Sequence, residues 1–71
     1  MASKVNSPIT ANVWKVLVKE GDMVSEGSTI VILESMKMEI PVDSPVSGVV
    51  KKIYVSEGGS VGEGDLIAEI E

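Results

Sequence analysis

Apolar residues recur along this chain with the period of two that marks half-buried strands. Val16 and Val18 alternate with Leu17 and Lys19, and the stretch from Lys51 to Val55 runs the same way. Glycine-containing turns break both runs, and a second strand is predicted after each, over Thr29 to Ser35 and Asp65 to Glu71. No stretch carries a helical stripe. The pattern predicts an all-β protein of about seven or eight short antiparallel strands, arranged as two small sheets in a flattened barrel-sandwich.

The same pattern occurs twice. Shifted by 37 positions, Ser7 to Glu34 ("SPITANVWKVLVKEGDMVSEGSTIVILE") lies without gaps over Ser44 to Glu71 ("SPVSGVVKKIYVSEGGSVGEGDLIAEIE"). The identities fall on the punctuation: Ser-Pro at the start, Glu20-Gly21 over Glu57-Gly58, and Glu26-Gly27 over Glu63-Gly64. Val18 matches Val55, Val24 matches Val61 and Ile30 matches Ile67. One supersecondary unit used twice predicts a pseudo-twofold axis, since neither copy could bury its apolar face alone. Residues 1–71 read as one domain, with repeat halves at 7–34 and 44–71 joined by a hairpin at 35–38. "EGGSVGEGD" lacks a Gly-Lys-Ser/Thr ending and a following helix, so it reads as a turn and not a phosphate loop.

The junction between the copies, "LESMKMEIPV", places Lys37 between Met36 and Met38. If Met36 and Lys37 are the two central residues of a tight hairpin, Ser35 pairs with Met38, Glu34 with Glu39, Leu33 with Ile40, Ile32 with Pro41 and Val31 with Val42. That register gathers Val31, Leu33, Ile40 and Val42 on a core face and leaves Glu34, Glu39 and Asp43 in solvent. It also puts Pro41 in a pair that exchanges no ladder bonds, on what should be an edge strand. Two features of the tip are unfavourable. Neither Met36 nor Lys37 suits the positive φ of a primed turn, and Glu34 faces a like charge at Glu39. Such costs at a loop tip point to function. Because Lys37 lies at the junction of the repeat, the tip should stand at the opposite end of the molecule from the termini. On these residues alone, Lys37 is either an ordinary solvated lysine or one presented for chemistry. Met36 and Met38 are either core gap-fillers or recognition elements.

Composition removes most other chemistry. The chain has 71 residues, 44% of them hydrophobic, but no Phe, so its apolar mass is Val, Ile and Leu. With no Cys and no His, disulfides, thiolate or imidazole metal sites and Ser-His-Asp catalysis are excluded. A net charge of −5 argues against nucleic acid as a partner. The longest run of large apolar residues, Ile30 to Leu33, is too short for a membrane span or a signal-peptide core, which makes the cytoplasm the default location. A monomer is expected.

"ESMKME", with the downstream repeat, resembles the attachment motif of the biotinyl/lipoyl domain family, in which biotin carriers show a small residue followed by Met-Lys-Met. The resemblance covers nearly the whole chain and implies that family's quasi-symmetric barrel-sandwich. It implies a non-catalytic carrier, with Lys37 as the lysine whose amine is acylated by biotin protein ligase from an acyl-adenylate. Met36 and Met38 are then flanking recognition residues. Glu34 matches the acidic residue usual three positions before the lysine; Ser35, where Ala is commoner, and Glu39 are supporting positions. Lipoyl domains typically have Asp or a similar polar residue before the lysine and Ala after it, so Met-Lys-Met favours biotin. The implied partners are the ligase and the components of a biotin-dependent carboxylase. The ungapped repeat leaves no room for the protruding thumb of some bacterial carriers. Two alternatives stand beside this reading. One is a lipoyl carrier modified on the same lysine by lipoate ligase; the other is an unmodified acidic β interaction module.

Overall fold

The computed structural model describes residues 2–71, and its eight strands alternate with turns and no helix. In chain order they are β1 (Ser3–Asn6), β2 (Ala11–Val16), β3 (Met23–Val24), β4 (Thr29–Ser35), β5 (Met38–Asp43), β6 (Gly48–Ile53), β7 (Ser60–Val61) and β8 (Leu66–Ile70). They form two four-stranded sheets, ordered β1-β8-β6-β3 and β5-β4-β2-β7. Every pairing is antiparallel.

The 37-residue shift that lays Ser7 over Ser44 carries β2 onto β6 and β3 onto β7, residue for residue. It also carries β1 into β5 and β8 back into β4. Applied to the order of the first sheet, it returns the order of the second. The core obeys the same relation. Ile30 and Ile67 are buried counterparts, as are Leu33 and Ile70, Val13 and Val50, and Val24 and Val61. Among the described residues, Ala11 alone of the buried apolar side chains has no buried counterpart; Gly48 stands in its place. Side chains from both sheets meet in one cluster, so each repeat completes the core of the other.

The repeated punctuation has a physical role. Ser7 and Ser44 are buried, and their hydroxyls donate to the carbonyls two residues ahead, Ile9 at 2.6 Å and Val46 at 2.5 Å. Their backbones tie the halves together: Ser7 N–H donates to Asp65 and Gly64 N–H to the Ser7 carbonyl, both at 2.8 Å. The second copy repeats this with Ser44, Ser28 and Gly27, again at 2.8 Å. All four glycines of the Glu-Gly pairs have positive φ, from 86° at Gly64 to 93° at Gly21, a conformation glycine adopts without a Cβ penalty. The glutamates of the first pair reach across the pseudo-twofold. Glu57 Oε2 accepts from Val16 N–H at 3.0 Å, and Glu20 Oε2 from Ile53 N–H at 3.2 Å.

The strands start and stop earlier than the alternation at 16–19 and 51–55 suggests. β2 ends at Val16 and β6 at Ile53, while Val18 and Val55 pack against the core from outside the strands. The register shifts between Val13 and Lys15 and again between Val50 and Lys52. These bulges reverse the inward phase partway along each strand, so the apolar set beyond them no longer reports the strand itself. β4 keeps its predicted limits.

Candidate functional site

Lys37 occupies the tip of the hairpin between β4 and β5, and the register there is the one the apolar pattern requires. Ser35 pairs with Met38, Glu34 with Glu39, Leu33 with Ile40, Ile32 with Pro41 and Val31 with Val42. Val31, Leu33 and Val42 are buried, and Ile40 packs against the core. Anchoring on that side fixes the hairpin, because a slip of one residue would turn all four outward. Pro41 lies on β5, the edge strand of its sheet, where a missing N–H costs least.

Met36 and Lys37 have φ values of 53° and 64°, the only non-glycine residues with positive φ among those described. Both central positions of the turn are therefore left-handed, as a type I′ turn demands. Such a conformation costs a residue with a Cβ about 1–2 kcal/mol. Replacing Met36→Asn together with Lys37→Gly should relieve that strain and stabilise the protein by about 1–2 kcal/mol, read as a higher urea midpoint. An unchanged or lower midpoint would show that the tip stores no strain.

The methionines are not gap-fillers. Met36 is 89% exposed and Met38 59%, and Lys37 between them is exposed as well. Two flexible, polarizable side chains held in solvent beside a lysine make an adaptable contact surface. Glu34 and Glu39, both exposed, face each other directly behind the tip, and Ser35 is half-buried. All six candidate residues thus lie in one continuous segment at one end of the second sheet. At the pseudo-twofold position in the first sheet, Ser3 pairs with Ile70, so the chain termini take the place of the turn.

A shallow groove of about 280 Å³ opens beside the tip, bounded by Ser35 and Met36 on one side and by Asn12 and Ser60 on the other. Asn12 and Ser60 are cross-strand partners on β2 and β7. Neither stands out in the sequence, because they lie far apart from each other and from Lys37. Comparing the repeats would have flagged them: their counterparts are Val49 and Met23, an apolar pair on β6 and β3. Among the described residues, no group of three or more acidic, His or Cys side chains could hold a metal ion.

A family model described as "biotin-requiring enzyme" matches residues 2–70. The biotinylated protein TB7.3 homolog of Mycolicibacterium smegmatis is 60% identical over 42 residues, which are 59% of this chain and 59% of that protein. The urea carboxylase of Kluyveromyces lactis superposes over 100% of this chain and 6% of its own length, with a TM-score of 0.94 and 38% identity. The lipoyl domain of the 2-oxoglutarate dehydrogenase complex from Azotobacter vinelandii superposes with a TM-score of 0.80 over 96% of this chain and 94% of that domain. At 24% identity it shows the shared fold alone.

Proposed function

Since the chain belongs to the biotin/lipoyl family, we propose that Lys37 is its point of covalent attachment and that biotin protein ligase acylates it. The modified protein would serve as a mobile carboxyl carrier for a biotin-dependent carboxylase and perform no catalysis itself. One observation carries this reading: a strained two-residue turn, fixed by core pairs, holds Lys37 in solvent between two exposed methionines. The likeness to a domain of a urea carboxylase supports a carboxylase as the partner.

The chemistry asks little of this chain. A lysine ammonium has no lone pair to offer, so the ligase has to remove a proton before the nitrogen can attack. The neutral amine then attacks the carbonyl of biotinyl-adenylate, an amide forms, and AMP leaves with the electrons of the broken acyl–phosphate bond. What the carrier supplies is placement. A tip that does not wander lets the ligase align amine and acyl carbonyl without ordering a loop first.

The flanking residues should set the choice of cofactor. Exposed to both ligases in parallel, the protein should be modified faster by biotin ligase than by lipoate ligase. Met36→Asp combined with Met38→Ala should lower biotin ligase turnover more than lipoate ligase turnover, as followed by intact mass. Faster lipoylation of the unaltered protein would favour the lipoyl carrier. Absence of either product would favour an unmodified interaction module.

A further inference from the structure

The chain has no cysteine, so its only sulfur is that of its four methionines. Three of them, Met23, Met36 and Met38, are among the described residues and are exposed by 84%, 89% and 59%. None belongs to the core cluster or to the apolar residues packed against it. Methionine ordinarily fills core gaps. Here it is held in water, where its thioether is open to any dissolved oxidant.

The three sites differ in what stands beside them. Met36 and Met38 flank Lys37 directly. Met23 pairs with Val49, which exchanges both backbone hydrogen bonds with Glu71, at 2.8 and 2.9 Å. It therefore lies at the end of the molecule that holds the termini, away from the tip. Two exposed thioethers adjoin the attachment lysine, and a third with nearly the same exposure does not.

Peroxide oxidises a thioether by two electrons. The sulfur lone pair attacks one peroxide oxygen, the O–O bond breaks, and the departing hydroxide takes that oxygen's proton and leaves as water. The product is methionine sulfoxide, polar and chiral where the thioether was apolar. In the free protein the new oxygen faces water, so the fold should keep its stability. A partner that covers Met36 and Met38 as apolar contacts would instead have to desolvate that oxygen without giving it a donor.

We propose that Met36 and Met38 form a redox modification site: peroxide converts them to sulfoxides, which suspends biotinylation of Lys37 until methionine sulfoxide reductases restore the thioethers. The inference rests on attachment at Lys37 and on the ligase covering both methionines. An amide already formed is untouched by the oxidation, so the control acts on newly made carrier alone.

The test begins with untreated protein and active ligase; a protein that takes up no biotin would overturn attachment and this inference together. A second sample of unmodified protein is treated with hydrogen peroxide, which is removed before ligase is added. Fragment masses should place added oxygen on Met36 and Met38. Single-turnover biotinylation should then fall on the order of tenfold. Reductases for both sulfoxide epimers, with a thiol supplying the two electrons, should restore the rate. An unmoved denaturant midpoint should show that the loss is not unfolding. Met23→Leu should lose its rate on oxidation as the unaltered protein does. Met36→Leu with Met38→Leu has a rate of its own before treatment, and that rate should survive peroxide although Met23 still gains its oxygen. Equal rates before and after full oxidation of Met36 and Met38 would overturn the inference alone. So would a loss of the same size in the double leucine variant.

Discussion

Lys37→Arg is expected to abolish biotin incorporation while leaving the unfolding transition in place. Arg keeps the positive charge and the long apolar stem, but its guanidinium stays protonated at any pH a ligase works at and offers no free nitrogen lone pair. The side chain it replaces is exposed and packs against nothing in the core. The other lysines lie elsewhere: Lys4 on β1, Lys15 on β2, Lys51 and Lys52 on β6, and Lys19 in the loop after β2. Lys15 and Lys52 are moreover held over the rings of Trp14 and Tyr54, at 5.5 and 5.4 Å from the centroids. Substituting these lysines should leave incorporation unchanged. Streptavidin blotting of the ligase reaction checks both expectations, and label retained in Lys37→Arg would place attachment on another lysine.

Exchanging the two tip residues, Met36→Lys with Lys37→Met, is expected to lower the rate of biotinylation at least tenfold. The exchange conserves composition, charge and hairpin length. Both positions already sit in the left-handed region, at 53° and 64°, so the backbone asks the same of either residue. The pairs Leu33–Ile40 and Val31–Val42 still fix the register. Only the direction from which the amine leaves the turn changes. A misplacement of about 1 Å can cost a positioned reaction on the order of 100-fold, so a tenfold loss is a conservative expectation. Single-turnover labelling with excess ligase gives the rate, and a denaturant curve shows that the fold survives. Equal rates would mean that the ligase reads any exposed lysine near the tip.

The hairpin was legible in the sequence because three independent constraints agree on it. Val31 and Leu33 share one face of β4 opposite Val42 and Ile40 on β5, Pro41 needs a pair without ladder bonds, and a two-residue turn leaves no freedom of register. The repeat was legible for a similar reason. Ser-Pro and Glu-Gly sit where hydrogen bonds and positive φ admit few alternatives, so their identities survive between the copies. β2 and β6 were less legible. A bulge in each shifts the inward phase, and Ala11 and Gly48, at which they begin, carry little hydrophobic signal. β3 and β7, two residues each, are too short to show a period at all. The groove could not be read from any local stretch. It is assembled from β2, β4, β7 and the turn, and only the comparison of Asn12 and Ser60 with Val49 and Met23 hints at it.

Fragment mass spectrometry of the ligase-treated protein tests attachment at Lys37 most directly. The unaltered chain, incubated with biotin, ATP and biotin protein ligase, should gain one biotinyl group. Every fragment that contains Lys37 should carry that mass, and no fragment without it should. A biotinyl group on a fragment that lacks Lys37, or a chain that stays unmodified under active ligase, would contradict attachment at the hairpin tip.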